Sequence, residues 1–149
     1  MMAISAATAA DDWSFNEHND MMTGYNETRL SVTASDLKTA FDLVCNQYGV
    51  QLLITGTGWK PDFYQPGLSW LTDSQMGGRM TIEPSDTLAG LRGAWPSLNS
   101  DQPKRLIEAI KSSDAIAFNF YISQQSRKKV IDTTEAGPVL ALFLDSCLQ

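Results

Sequence analysis

The sequence has little of the chemistry on which most metal sites and nucleophilic enzymes depend. Its 149 residues include one histidine, His18, and two cysteines, Cys45 and Cys147, which are far apart in the chain. Structural zinc sites take four such ligands, usually with a Cys-x-x-Cys spacing that is missing here, so no metal site is predicted. A lone histidine in a polar stretch also gives no support for a Ser-His or Cys-His catalytic pair.

Glycine-rich phosphate-binding loops are missing as well. The nearest candidate, Gly56-Thr57-Gly58, lacks the third glycine and the following helix that a dinucleotide site requires. No Walker lysine and no nucleophile elbow occurs in the sequence. We therefore expect no cofactor.

Positive charge and long apolar runs are also scarce. The chain has 11 Lys and Arg against 17 Asp and Glu, a formal net charge of −6. Nucleic-acid surfaces need clustered basic residues, and the single cluster, Arg127-Lys128-Lys129, is typical of a solvated turn or strand end. The longest apolar run, Val139 to Leu144, is far below the roughly 20 residues that span a bilayer. We predict no nucleic-acid partner and no membrane span.

The length and composition are typical of one folded domain, which we place at residues 11–149. With 43% hydrophobic and 19% charged residues, the chain can build a single core. Residues 1–10 contain Ala7-Thr8-Ala9, which has the small-x-small form of a signal-peptidase site, but they lack a positive n-region and a long apolar stretch. They are predicted to be either a signal-peptide remnant or a disordered terminus.

Apolar spacing predicts an α+β fold, mainly an antiparallel β-sheet or sandwich with two short helices. In the stretch 138–149, Leu140, Phe143, Leu144 and Cys147 recur at helical spacing. A helix this short is marginal in water, so it must dock on the sheet. The other helix is predicted to begin at Ser100 or Asp101.

Strands are predicted where apolar and polar residues alternate, with a turn at Gly77-Gly78. Helix is an alternative for the first half of the predicted strand 37–45. The predicted strand 91–98, which contains Pro96, is expected to lie near a sheet edge. The predicted strands cover 13–15, 28–33, 37–45, 50–55, 68–71, 79–83, 91–98, 115–123 and 127–133.

The two cysteines both fall on predicted apolar faces, Cys45 in a central strand and Cys147 on the final helix. A disulfide between them would close a loop of about 100 residues, which the chain-entropy model values at roughly 4.7 kcal/mol. Two buried reduced thiols are the alternative. The partial signal-peptide pattern favours the disulfide, because exported proteins fold where thiols are oxidised.

The loop 56–67 is the candidate partner-binding surface. It carries three aromatic residues, Trp59, Phe63 and Tyr64, among glycines and prolines. The alternative is that the loop folds these aromatics over the edge of the core.

Two carboxylate pairs are candidates for a glycan hydrolase, which works with paired acids. They are Glu83 with Asp86, and Asp132 with Glu135. Surface carboxylates are common in any acidic protein, so these pairs are weak catalytic candidates and no catalytic residue is assigned.

The order of these motifs resembles a group of small exported bacterial envelope proteins, which includes accessory proteins encoded beside type VI secretion genes. The resemblance implies a periplasmic or secreted, disulfide-bonded domain, and it transfers no catalytic residues. The matching residues are Trp13, Asp20-Met21-Met22-Thr23, Leu43-Val44-Cys45, Trp95-Pro96-Ser97 and Ala136-Gly137 to Cys147.

These observations together predict an exported, disulfide-stapled binding or accessory protein of the bacterial envelope without catalytic activity. Its expected partner is an envelope protein or a cell-wall component. An inhibitor of a cationic enzyme such as lysozyme is the first alternative, because an acidic domain associates rapidly with a basic partner. A glycan-active hydrolase is the second alternative.

Overall fold

The computed structural model describes residues 12–34, 39–56, 67–85, 90–122 and 125–147. They form two antiparallel sheets and two helices, which confirms the predicted α+β class. In chain order the elements are β1 (Trp13–Asp20), β2 (Tyr25–Thr33), β3 (Ala40–Asn46), β4 (Gly49–Thr55), β5 (Leu68–Thr72), β6 (Gly77–Met80), β7 (Glu83–Ser85), β8 (Gly90–Trp95), α1 (Asp101–Ser112), β9 (Ala115–Ile122), β10 (Gln125–Asp132) and α2 (Ala136–Cys147).

Sheet A has the strand order β1-β2-β3-β4-β8-β7, and sheet B has the order β10-β9-β5-β6. Every pair of neighbouring strands is antiparallel. The first four strands follow one another as a meander, as expected where consecutive strands are joined by short connections. The chain passes from sheet B to sheet A at Thr81 and Ile82, between β6 and β7.

The two sheets pack face to face through aromatic residues. Alternation along β3 and β9 turns Phe41 of sheet A and Phe118 of sheet B toward the core. Their rings stack with centroids 4.7 Å apart, and Phe120 meets Phe41 edge-on at 6.4 Å. Stacked and edge-on contacts between buried rings are favourable, and these contacts pack the two sheets against each other.

Helix α1 begins where the sequence predicted. Ser100 is the N-cap residue, although its side chain makes no capping hydrogen bond, and Pro103 lies in the first turn, where its missing N–H costs nothing. The buried face of the helix contains Leu106, Ile107 and Ile110.

Helix α2 docks on the sheet through the predicted apolar stripe. Leu140 and Phe143 are buried, while Leu144 and Cys147 are half-buried against the same core. The helix contacts β1, β2 and α1. The prediction that the C-terminal helix packs on the sheet is therefore confirmed.

Some strand boundaries were predicted wrongly. The strand predicted at 13–15 is longer, because β1 continues through the polar run 16–20. Strand β2 supplies partners from Val32 opposite Trp13 to Tyr25 opposite Asp20. The alternative of a helix before Cys45 is wrong from Ala40 onward, where β3 begins. A strand with one face in solvent needs no apolar alternation along its whole length.

The turn predicted at Gly77-Gly78 is also wrong, because these residues lie in β6. The Trp70 ring covers Gly78 so closely that an added Cβ would lie 2.5 Å from the ring. The chain turns earlier, at 73–75. The strand predicted at 91–98 ends earlier, at Trp95, and as β8 it lies near a sheet edge as predicted, next to the edge strand β7.

Candidate functional site

The predicted disulfide is present and anchors the end of α2. Cys45 and Cys147 are bonded, with their Cα atoms 5.8 Å apart and 102 positions between them in the sequence. Next to the bond, the Ser146 hydroxyl lies 3.0 Å from the Thr28 hydroxyl and donates to Glu17 Oε1 at 2.7 Å. Thr28 is the cross-strand partner of Cys45. Two consecutive helix residues thus fasten α2 to β1, β2 and β3.

Two hairpins end side by side close to this anchor. The β1–β2 turn spans 21–24, and the β3–β4 turn joins Asn46 to Gly49. The Asn26 amide donates to Gln47 Oε1 at 3.0 Å across the gap between the hairpins. Since β2 and β3 are also neighbours in sheet A, the two turns form one continuous end of the sheet.

This end of the sheet displays three large apolar side chains, Met21, Met22 and Tyr48, which we call the hairpin-tip surface. Their exposed fractions are 97%, 94% and 78%, higher than for any other large apolar side chain in the described ranges. The next, Leu142 on α2, is 56% exposed. Because large apolar side chains this exposed share one end of the sheet, this end is a candidate interaction site.

The backbone beneath the methionines is held by Asp20. Its Oδ1 atom accepts hydrogen bonds from the amides of Met22 at 2.9 Å and Thr23 at 3.4 Å. The amide of Gly24 donates to the Asp20 carbonyl at 2.8 Å, and Gly24 has a φ of 74°, which suits glycine. The methionines are therefore presented by a hydrogen-bonded turn.

The same contacts make the turn sensitive to acid. The Thr23 hydroxyl, followed by the amides of Met22 and Thr23, lowers the pKa of Asp20 below its ordinary 3.8. A lowered pKa means that the ionised carboxylate stabilises the folded turn at higher pH, and that this stabilisation is lost as the pH falls through the folded pKa.

We predict that the amide proton shifts of Met22 and Thr23 titrate together with a midpoint below 3.8.

NMR titration of the intact protein measures this midpoint. In the Asp20→Asn variant, whose side-chain oxygen still accepts hydrogen bonds but does not ionise in this range, the two amide shifts should stay flat. A wild-type midpoint at or above 3.8 would contradict the prediction.

The flank of the hairpin-tip surface is acidic. Strands β1 and β2 carry three carboxylates, Glu17, Asp20 and Glu27, against one basic residue, Arg29, so they have a formal net charge of −2. Arg29 contacts Glu27 at 3.4 Å and also reaches Asp42 of β3 at 2.9 Å. Its charge is thus paired within sheet A, and strands β1 and β2 together keep a net negative charge.

A cleft of about 180 Å³ opens beside the hairpin-tip surface. One wall is formed by Asn46 and Gln47 from the β3–β4 turn, the other by the segment 96–99, and the Cys45–Cys147 bond contributes to the lining. The cleft has room for one side chain of a partner. A protruding apolar tip next to a partly polar recess is a shape suited to protein recognition.

The aromatic loop residues proposed from the sequence, Trp59, Phe63 and Tyr64, lie outside the described residues. Their role as a partner-binding loop stays a prediction.

Of the carboxylates considered for glycan hydrolysis, Asp132 has a structural role in the described fold. Asp132 Oδ1 accepts hydrogen bonds from the Thr134 amide at 2.8 Å and from its hydroxyl at 2.6 Å, which orders the turn before α2. Glu135 and Glu83 are exposed on the surface. Asp86 lies outside the described residues, and its pairing with Glu83 stays a prediction.

Sequence reasoning used Met21 and Met22 only within the motif Asp20-Met21-Met22-Thr23 of the family resemblance and did not assign them to a partner-binding surface. The available signal was an Asp and a Thr-Gly pair bracketing two apolar residues between strands. This pattern is typical of a turn whose Asp side chain caps the backbone, and it leaves the residues between on the outside.

Comparison with protein families, with curated proteins and with solved structures finds no match for this chain. The resemblance to type VI secretion-associated envelope proteins accordingly stays a prediction. Neither helix in the described ranges has the length and apolarity needed to cross a bilayer.

Proposed function

We propose that this protein is an exported binding protein that holds a protein partner on its hairpin-tip surface and performs no catalysis. The observation that carries the proposal is the near-complete exposure of Met21 and Met22 on a turn fixed by hydrogen bonds. Methionine side chains are flexible and polarisable, so they adapt to irregular apolar pockets. Tyr48 adds an aromatic ring of the kind enriched at interfaces.

The disulfide supports the exported location within this proposal. Disulfides persist in the periplasm and outside the cell, and they are rare in the cytosol. The bond stabilises the sheet end that carries the hairpin-tip surface, because Cys45 lies one residue before the β3–β4 turn. This agrees with the role of an envelope accessory protein that the sequence resemblance implies.

The acidic flank favours a basic partner. Carboxylates around an apolar tip attract a positively charged surface and speed its association. Inhibition of a cationic enzyme such as lysozyme is therefore the second candidate function. The specific observation in its favour is the negative charge of β1 and β2 beside an apolar projection that can enter a concave site.

A photo-crosslinking experiment tests the binding surface. Benzoyl-phenylalanine replaces Tyr48, and the protein is irradiated in a periplasmic extract and, separately, with lysozyme. We predict that adding Met21→Ser/Met22→Ser lowers the yield of the crosslinked partner by roughly tenfold, about 1.4 kcal/mol of binding free energy. The reason is that each serine removes apolar contact area without altering the capped turn.

The matched control is Leu71→Ser/Val130→Ser, which removes two half-exposed apolar side chains from sheet B. This variant should crosslink like the parent. Equal yields from the parent and the methionine variant would show that the tip is not the binding surface. Nanomolar inhibition of lysozyme supports the inhibitor role, and no inhibition at micromolar concentration excludes it.

A further inference from the structure

We infer that the hairpin tip is a methionine oxidation site, at which sulfoxide formation on Met21 and Met22 switches off the surface. The regulatory part rests on the proposed binding function. The oxidation site itself rests on exposure, turn geometry and thioether chemistry.

The methionines of the described ranges form a gradient of accessibility. Met21 and Met22 are 97% and 94% exposed, whereas Met80 is 1% exposed in the core. Met76 is intermediate, and its sulfur accepts a hydrogen bond from the Ser112 hydroxyl at 3.3 Å. Oxidation of methionine follows access of the oxidant to the sulfur lone pair, so the tip pair should react first.

The reaction requires only a peroxide. The thioether sulfur attacks one oxygen of hydrogen peroxide, and the O–O bond breaks as the S–O bond forms. The departing hydroxide takes the proton of the oxygen now bonded to sulfur, which leaves the sulfoxide and one water. Sulfur is oxidised by two electrons and the peroxide is reduced by two. Sulfoxide reductases reverse the change, one enzyme for each epimer. The disulfide is consistent with a compartment where oxidants reach the chain.

The turn does not depend on the methionine side chains. Its hydrogen bonds join backbone amides to the Asp20 carboxylate and carbonyl, and they use no thioether. A sulfoxide at the tip therefore changes the polarity of the surface while the backbone keeps its shape. Oxidation of Met80 would instead disturb the fold, because a polar oxygen placed in the core disrupts packing.

The consequence for binding follows from desolvation. A partner pocket that accepts an apolar thioether must strip water from the sulfoxide oxygen without supplying a hydrogen bond. Two adjacent sulfoxides carry this cost twice. Binding should fall sharply on oxidation and return after enzymatic reduction.

The oxidation site is tested on the full chain with hydrogen peroxide, followed by peptide mass mapping. We expect Met21 and Met22 to gain oxygen roughly tenfold faster than Met80, with Met76 between them. Near-ultraviolet circular dichroism should stay unchanged while only the tip is oxidised. Oxidation of Met80 at the same rate as the tip, or loss of the dichroism signal as the tip reacts, would overturn the inference.

The regulatory step is tested with the Tyr48 crosslinker and a Met21→Leu/Met22→Leu variant, which keeps the tip apolar and has no sulfur there to oxidise. Peroxide should lower crosslinking of the parent and leave the leucine variant unaffected. Undiminished crosslinking by fully oxidised parent would refute the switch. Failure of the untreated parent to crosslink any protein overturns the proposed function and the switch together, while the mass map still decides the oxidation site.

Discussion

Replacing both cysteines with alanine is expected to lower the free energy of unfolding by about 4 kcal/mol. The bond between Cys45 and Cys147 joins residues 102 positions apart, so the conformational entropy that it removes from the unfolded chain is large compared with the net stability of a domain. Domains of this size are stable by only about 5–15 kcal/mol, so the variant should be close to unfolding at 37 °C or above. Urea denaturation followed by tryptophan fluorescence measures the difference.

When the urea denaturation of the wild-type protein is repeated with reductant present, the free energy of unfolding should fall by nearly as much as it does in the double variant. A separate control removes the neighbouring polar contact: Ser146→Ala, with the disulfide intact, should cost only about 1 kcal/mol. A loss below about 1 kcal/mol in the cysteine variant would mean that apolar docking of α2, and not the covalent bond, holds the helix in place.

Truncating Phe143 to alanine should cost about 3–5 kcal/mol, because its ring is completely buried and the cavity it leaves cannot fully close. The matched control is Leu142→Ala. This residue precedes Phe143 on the same helix and is 56% exposed, so its truncation should change stability by less than about 0.5 kcal/mol. Thermal and urea unfolding of the two variants, with the disulfide oxidised, give the comparison.

Equal losses of stability from Phe143→Ala and Leu142→Ala would contradict the docking of α2 through its apolar stripe. The Phe143 variant should also interact with the cysteine variant, because both changes loosen the same helix. Once the helix has lost either attachment, the second loss should cost less than it does in the wild-type chain. A simple sum of the two free energies would indicate that the disulfide and the ring stabilise separate parts of the fold.

The parts of the fold that were predictable are those in which one face of an element is buried. Phe118 and Phe120 alternate with polar neighbours in β9, and Leu140 and Phe143 follow helical spacing in α2. Hydrophobic burial dictates these periods directly, so the sequence alone reveals them. The disulfide was predicted because Cys45 and Cys147 both fell on predicted apolar faces, and because the partial signal-peptide pattern favoured oxidation over two reduced thiols.

The parts that were not predictable depend on contacts between distant segments. Gly77 and Gly78 have the composition of a turn, but Trp70 packs over Gly78 and needs a residue without a side chain in a strand. The exposure of Met21 and Met22 was also not predictable from the sequence. Methionine is usually found inside proteins, so hydrophobic patterning assigns it to a core and cannot show that a turn points it outward.

The attachments of α2 also set the order in which the protein can fold. Ser146 of α2 donates a hydrogen bond to Glu17 across 129 positions, and the Trp13 indole of β1 donates one to the Asp132 carbonyl of β10 across 119. Contacts between such distant segments make folding slow, because a long loop must close before they form. While the chain is being made, β1 and β2 have to wait for residues 136–147 to emerge. Until then their inner faces are uncovered, and a chaperone that shields them should raise the yield of folded protein.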